Sequence, residues 1–224
     1  LLGAEHFDTS VLKGKCLINL DSEEEGILLT GCAGGMSAIS TIPVKYRNTH
    51  GRVYEVRIEG LLGGHSGTEI DKNRGNANIL MGRLLYSLKK KVSFDIASLQ
   101  GGQKDNVIPR TCTCELVIQP EEELEFTGCL ENLQDDLRKE YSGSDEGITI
   151  SWKFLEEEQV GVLHPVSREK VIFYLRNIPN GVQKMSGNIP GLVETSLNLG
   201  TLSLEDEVLY GVTSIRSSVN SAKE

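Results

Sequence analysis

The sequence has no apolar run long enough to cross a membrane and no excess of basic residues. A helix that spans a bilayer needs about 20 consecutive apolar residues, and no such run occurs among the 224 residues. Lysine and arginine number 23 against 32 aspartates and glutamates, which gives a net charge of -9. Because affinity for nucleic acid depends on clustered Lys and Arg that neutralise phosphates, we expect neither a nucleic acid nor a membrane as partner.

The sequence also lacks the short motifs of several enzyme classes. It contains no Gly-x-Ser-x-Gly turn, no phosphate-binding glycine loop, no dinucleotide fingerprint and no His-Glu-x-x-His helix. Each of these motifs supplies a nucleophile, a phosphate cradle or a pair of metal ligands to its class. Serine hydrolase, kinase and dehydrogenase functions are therefore disfavoured.

Cysteine is scarce, and its spacing does not indicate a zinc ribbon or a disulfide scaffold. The five cysteines are an odd number, at positions 16, 32, 112, 114 and 129. Unpaired cysteines of this kind are usually buried thiols of a protein in a reducing compartment. Together with the absence of a secretory signal, this predicts a cytoplasmic protein.

Apolar periodicity predicts three helices and seven strands from residue 37 onwards. Helices are expected over residues 77–88, 120–141 and 167–178, where apolar residues recur with helical spacing or a helix begins at proline or serine. Alternation over residues 42–59 predicts an antiparallel hairpin that turns at Thr49-His-Gly51, and residues 193–215 predict a second hairpin. The order of elements favours an α+β fold, a two-layer antiparallel sheet with helices on one face, similar to a ferredoxin-like domain.

Four polar positions are candidates for chemistry. Asp21 follows an apolar run in Asn19-Leu-Asp-Ser-Glu-Glu-Glu-Gly26, where a carboxylate could bind a divalent metal. His65 lies between glycines that let the backbone approach a ligand, and its ring could donate a hydrogen bond to an oxyanion. Asn106 offers an amide to a substrate backbone, and Arg216 offers a guanidinium fork to a carboxylate. Each has an ordinary structural alternative. For Asp21 it is a solvated turn, and for His65 it is a hydrogen bond that stabilises its loop. For Asn106 it is a turn position, and for Arg216 it is a surface ion pair.

Taken together and in order, eight motifs resemble bacterial aminoacyl-histidine dipeptidases. They are Asn19-Leu-Asp-Ser-Glu-Glu-Glu-Gly26, Gly31-Cys-Ala-Gly-Gly35, Gly63-Gly-His-Ser-Gly-x-x-Ile70, Arg74-Gly-Asn-Ala-Asn78, Asn106-Val-Ile-Pro-Arg110, Pro179-Asn-Gly-Val182, Val193-Glu-Thr-Ser-Leu-Asn198 and Ile215-Arg-Ser-Ser218. In that family a zinc-binding catalytic domain is interrupted by a lid that also makes dimer contacts. The resemblance implies that residues 1–36 belong to the catalytic domain, 37–217 to the lid and 218–224 to the return into the catalytic domain.

The resemblance also implies roles for the four candidate residues. Asp21 would bind one metal of a pair, zinc in the first place, with manganese or cobalt as alternatives. His65 would polarise the scissile carbonyl, Asn106 would orient the substrate and Arg216 would bind its terminal carboxylate. The substrates implied are dipeptides that end in histidine, such as carnosine, and the partner implied is a second copy bound through the lid.

Most of the family's metal ligands and its general base have no counterpart in this sequence. Both ends look cut, and a single aspartate cannot build a zinc site of three or four ligands. We therefore expect the isolated chain to be catalytically silent and to bind no metal. Two alternatives stay open, namely a free-standing α+β dimerisation or peptide-binding module without catalysis, and a transport or sensor domain that binds peptides without cleaving them.

Overall fold

The computed structural model describes residues 7–16, 18, 25–27 and 31–224, and the chain divides into two compact units. In the first unit, Leu1–Cys32, a 3-10 turn spans Thr9–Val11. The carboxylate of Asp8 accepts the backbone N–H of Ser10 at 2.9 Å. The side-chain hydroxyl of Ser10 and, to a smaller extent, this backbone N–H lower the pKa of Asp8. Asp21 lies outside the described residues, as does much of the two strands predicted around it.

The second unit, Ala33–Glu224, contains ten strands and three helices among its described residues. The strands are β1 (Gly34–Pro43), β2 (Tyr46–Glu59), β3 (Gly64–His65), β4 (Phe94–Gly101), β5 (Val107–Ile108), β6 (Cys112–Ile118), β7 (Thr149–Leu163), β8 (Gly181–Met185), β9 (Val193–Glu205) and β10 (Val208–Ser217). The helices are α1 (Ala77–Leu88), α2 (Glu123–Glu140) and α3 (Pro165–Asn177). The chain thus alternates between pieces of sheet and single helices.

Eight strands form one antiparallel sheet. Seven of them follow the order β1-β10-β9-β4-β6-β2-β7. The eighth strand, β8, pairs with β9, at residues of β9 other than those that pair with β4. The two shortest strands, β3 and β5, form a separate antiparallel pair. The predicted α+β fold with an antiparallel sheet and three helices is confirmed.

One apolar core joins the three helices to the sheet. Along β2 the inward residues Tyr54, Val56 and Ile58 alternate with outward residues, as the pleat of a strand requires. The helices contribute the residues at helical spacing to the same core: Leu80, Leu84, Leu85 and Leu88 from α1, Phe126, Leu130 and Leu137 from α2, and Val171, Ile172 and Leu175 from α3. The three helices and the sheet therefore share one packed core.

No helix within the described ranges has the length and apolar character that crossing a bilayer requires.

The hairpin predicted over residues 42–59 is wrong. Strand β1 pairs with β10, whereas β2 pairs with β6 and β7 and runs unbroken through Thr49-His-Gly51. The glycine in that tripeptide serves a close strand contact, because a Cβ at Gly51 would lie 2.8 Å from the carbonyl oxygen of Ile118. The second predicted hairpin is confirmed as β9 and β10, which are joined at Asp206 and Glu207, both with positive φ.

Candidate functional site

His65 lies on the short strand β3, where its own turn fixes the ring. The residue is half-buried, and its Nδ1 accepts the backbone N–H of Gly67 at 3.3 Å, with the hydroxyl of Thr68 at 3.4 Å. An Nδ1 that accepts a hydrogen bond is unprotonated, so the neutral ring carries its proton on Nε2. No described residue forms a hydrogen bond with that Nε2. The imidazole therefore presents a free N–H donor.

The backbone of His65 is held by an ion pair. Its N–H donates to Oε2 of Glu69 at 2.9 Å, and the other carboxylate oxygen of Glu69 lies 2.9 Å from Arg74. The hydrogen bond from the backbone N–H of His65 lowers the pKa of Glu69, and the charge of Arg74 lowers it further. Glu69 therefore stays ionised at neutral pH and keeps the histidine strand in place.

Asn106 stands in the loop between β4 and β5, and its backbone is fixed on both sides. Its carbonyl accepts the N–H of Ser66 at 3.0 Å, which ties the loop to the residue after His65. The side-chain Nδ2 of Asn198 donates to the carbonyls of Asp105 at 3.0 Å and Val107 at 2.9 Å. The half-buried side-chain amide of Asn106 forms no hydrogen bond with any residue that the structure describes.

Arg216 lies on β10, opposite Ser196 of β9 and Gly35 of β1. The residue is half-buried, and its Nε is shielded from solvent without a hydrogen-bond partner in the described part of the chain. None of the ion pairs among those residues includes Arg216. A partly desolvated guanidinium without a carboxylate is suited to bind one from a ligand.

The side chains of His65 and Arg216 meet above Gly67. A Cβ built at Gly67 would lie 3.0 Å from Cε1 of His65 and 3.0 Å from Cζ of Arg216. The hydrogen bond from Ser66 brings the Asn106 loop to the same place. The structure thus brings the side chains of His65 and Arg216 together and ties the backbone of Asn106 to the residue after His65. Their roles toward a substrate stay predictions, and the prediction for Asp21 lies outside the described residues.

Comparison with known proteins shows what this arrangement resembles. Residues 56–145 match the family M20_dimer, described as a peptidase dimerisation domain. This part of the chain is therefore similar to the dimerisation domain of M20 peptidases. The remaining comparisons extend the likeness over almost the whole sequence.

Two proteins to which the chain is similar are dipeptidases by name. The chain is 30% identical over 224 residues to the cytosol non-specific dipeptidase of Escherichia coli (strain K12). The match covers 99% of this chain and 46% of that protein. Its fold matches the crystal structure of aminoacylhistidine dipeptidase from Vibrio alginolyticus with a TM-score of 0.87 and 30% identity, over 98% of this chain and 45% of that one. The resemblance to aminoacyl-histidine dipeptidases is confirmed. The chain spans about half the length of both relatives.

The described residues of the chain do not fit a metal site by themselves. No three of their His, Cys, Asp or Glu side chains lie close enough together to share a metal ion. A zinc site in a peptidase needs three protein ligands and a water. Residues 31–224 of this chain therefore do not supply a complete metal site by themselves.

Two residues that build the site, Glu69 and Asn198, were not singled out as functional from the sequence. Asn198 ends the motif Val193-Glu-Thr-Ser-Leu-Asn198, which carried the family resemblance without a role for this residue. Its partners Asp105 and Val107 are more than ninety positions away along the chain. Only the folded sheet brings Asn198 and this loop together.

Proposed function

We propose that this chain is the substrate-binding and dimerisation part of a metal-dependent dipeptidase. The observation that carries the proposal is the meeting of His65 and Arg216 above Gly67, beside the loop of Asn106. The 30% identity to a dipeptidase over the whole chain supports the same reaction class. The parent protein is then a hydrolase that cleaves a peptide bond between two amino acids.

Each of the three groups suits one part of a dipeptide. The guanidinium of Arg216 binds the terminal carboxylate, since it has the geometry and the unpaired charge for a bidentate contact. The Nε2–H of His65 donates to the oxygen of the scissile carbonyl, where negative charge develops as water attacks. The amide of Asn106 orients the substrate between these two groups. Nε2 of His65, the side-chain amide of Asn106 and the guanidinium of Arg216 have no hydrogen-bond partner among the described residues.

The metal site belongs mainly to the part of the parent protein outside this chain. By the family resemblance it would hold two metal ions, zinc in the first place with manganese or cobalt as alternatives, and Asp21 would be one ligand. Bound metal would supply an activated water to the scissile carbonyl. This division of labour leaves the isolated chain able to bind parts of a dipeptide and unable to cleave it.

The proposed substrates are dipeptides that end in histidine, such as carnosine, in a cytoplasmic setting. The name of the Vibrio alginolyticus relative supports an aminoacyl-histidine substrate, and the name of the Escherichia coli relative supports a broader set of dipeptides and a cytosolic location. Arg216 recognises the carboxylate that all dipeptides share. Preference for histidine therefore depends on residues other than Arg216.

A second copy of the chain is the proposed protein partner. Strand β1 ends the main sheet, and no described strand pairs with its outer side. A groove of about 730 Å³ between β1 and α3 has an apolar lining that includes Ile42, Val166 and Phe173. Val166 is 60% and Phe173 is 69% exposed. Sedimentation of the parent protein at micromolar concentration is expected to give a dimer, and a monomer alone would remove this proposal.

Hydrolysis by the parent protein tests the proposed function directly. With zinc or manganese added, the full-length protein is expected to cleave carnosine, and the isolated chain of 224 residues is expected to leave it intact. In the full-length protein, His65→Ala should lower kcat about 10²-fold, the cost of losing one oxyanion donor. Carnosine hydrolysis by the isolated chain would contradict the division of labour. Tight dipeptide binding by the full-length protein without turnover would instead favour a peptide-binding module.

A further inference from the structure

We propose that Asn198 is a positioning residue that sets the conformation of the Asn106 loop relative to Arg216. This inference rests on the proposed function, because it assigns Asn198 an effect on substrate binding through Asn106. Asn198 lies on β9 and is 1% exposed, so it is shielded from solvent. The proposal requires no contact between Asn198 and a substrate. Its importance depends on what its side-chain amide does inside the protein.

Both ends of that amide are used. The Nδ2 group has two hydrogens, which are donated to the carbonyls of Asp105 at 3.0 Å and Val107 at 2.9 Å. The Oδ1 atom accepts from Nδ2 of Asn76 at 3.1 Å. A buried amide with both functions satisfied is expensive to replace, since any substitution leaves a carbonyl or an N–H unpaired.

The two carbonyls that Asn198 holds belong to the residues before and after Asn106. The carbonyl of Asn106 itself is held by the N–H of Ser66 at 3.0 Å. Three successive carbonyls of this loop are therefore fixed, and the side-chain amide of Asn106 forms no hydrogen bond within the described part of the chain. The loop is held in one conformation before any substrate arrives, which is the geometric requirement for efficient binding and catalysis.

The orientation of the Asn198 amide is set by the start of helix α1. Asn76 caps this helix, and its Oδ1 accepts the backbone N–H groups of Asn78 at 3.0 Å and Ile79 at 3.3 Å. Because the cap fixes the oxygen of Asn76, its NH2 group must face the other way, toward Oδ1 of Asn198. The oxygen of Asn198 then faces Asn76, and its NH2 group faces the loop. This chain of donors and acceptors leaves only one orientation for the amide of Asn198.

Strand β9 links this clamp to the guanidinium. Ser196, two positions before Asn198 on the same strand, is the register partner of Arg216 on β10. The same strand therefore fixes the loop of Asn106 at one residue and the backbone of Arg216 at another. Asn198 thereby sets the position of the Asn106 loop relative to Arg216, the group proposed to bind the terminal carboxylate of the dipeptide.

A double-mutant cycle in the full-length protein separates positioning from simple stability. Asn198→Ala is expected to lower kcat/KM for a dipeptide about 10²-fold, the size of effect that a misplacement of about 1 Å produces. In the background of Asn106→Ala, the same change should have little further effect, because the group that it positions is already absent. The matched control is Asn78→Ala, another fully buried amide that donates to Leu199 and touches neither Asp105 nor Val107. It should lower the melting temperature and leave kcat/KM of the folded enzyme near the wild-type value.

Hydrogen exchange supplies a readout that does not depend on activity. In Asn198→Ala, the peptide that covers residues 102–108 should exchange faster than in the wild type, while helix α2 keeps its protection. Should Asn198→Ala fail to fold, Asn198→Ser is measured in its place, since its smaller loss of hydrogen bonds spares the fold. Unchanged exchange over residues 102–108, or equal losses of kcat/KM with and without Asn106, would overturn the proposal. A wild-type protein that cleaves no dipeptide would defeat the proposed function, and hydrogen exchange would still decide whether Asn198 holds the loop.

Discussion

Gly67 is the residue on which the candidate site depends most closely. The side chains of His65 and Arg216 both lie 3.0 Å from the place where a Cβ of residue 67 would stand. A methyl group at this place would push the imidazole or the guanidinium away by a few tenths of an ångström. Glycine therefore lets the two side chains approach each other closely.

Replacement of Gly67 by alanine should damage catalysis far more than stability. In the full-length protein, Gly67→Ala is expected to lower kcat/KM for a dipeptide about 10- to 100-fold, because His65 and Arg216 must move apart. Gly187→Ala is the control, since a Cβ at Gly187 has no atom within 4 Å. Steady-state kinetics and thermal unfolding check both variants. Wild-type kinetics in Gly67→Ala would show that the two side chains do not act on one substrate.

The carboxylate of Glu69 should make the histidine strand sensitive to acid. The hydrogen bond from His65 lowers the pKa of Glu69 from its ordinary value of 4.5. Because the folded pKa lies below the unfolded one, the stabilisation is fully present above pH 4.5 and is lost as the pH falls through the folded pKa. Exchange of the His65 amide, corrected for its intrinsic pH dependence, is expected to accelerate in that acidic range. Glu69→Gln should remove this acid dependence, and an unaltered pH profile in the variant would contradict the assignment.

His65, Asn106 and Arg216 could be predicted as candidates from the sequence because each stands in a short motif of unusual composition. The meeting of His65 and Arg216 above Gly67 could not be predicted from spacing, since Arg216 is about 150 positions from His65 along the chain. The family resemblance supplied that step. Glu69 has no local signal of its own, because its function is to accept a hydrogen bond from a backbone four residues earlier.

The packing of helix α1 against helix α3 is the contact that most restricts the helical layer. A Cβ at Gly82 of α1 would lie 2.5 Å from Cβ of Leu175 and 3.1 Å from the backbone of that residue in α3. The two helices therefore touch at a position where only glycine fits. This close crossing keeps the N-terminus of α1, with its cap Asn76, against strand β9.

Gly82→Ala and Gly128→Ala should have opposite effects on stability. Alanine favours a helix over glycine by about 1 kcal/mol, and at Gly128 of α2 the added Cβ meets no atom within 4 Å. Gly128→Ala should therefore raise the free energy of unfolding by up to about 1 kcal/mol. At Gly82 the overlap with Leu175 should dominate and lower it by about 1–3 kcal/mol. Urea denaturation measures both, and stabilisation by Gly82→Ala would show that the helices can separate without cost.

The helices could be predicted from the sequence more accurately than the strand pairing. The apolar period over residues 77–88 gives the bounds of α1, and the proline and acidic residues from Pro120 onwards mark the approach to α2. The hairpin at residues 42–59 failed because a Thr-His-Gly tripeptide has the composition of a turn. Pairing of β1 with β10 joins residues about 170 positions apart, and a local pattern carries no information about such a partner.

At the scale of the whole molecule, the proposed function makes the chain one part of a larger enzyme. It spans about half the length of its two dipeptidase relatives, and no metal-binding cluster occurs among its described residues. The proposed function therefore divides the work, with recognition of the substrate ends in this chain and activation of water elsewhere in the parent protein. In this proposal the antiparallel sheet supports the residues that bind the substrate, and β1 and α3 contact a second copy of the chain.

Discrimination between a free and an amidated C-terminus tests the central role of Arg216. For the full-length protein, kcat/KM for a dipeptide should exceed that for its C-terminal amide about 10- to 100-fold, the value of a charged hydrogen-bonded contact. Arg216→Ala should bring this ratio close to one, whereas Arg57→Ala, which removes an exposed arginine paired with Glu55, should leave it unchanged. A ratio that survives in Arg216→Ala would contradict the proposal that this guanidinium binds the substrate carboxylate.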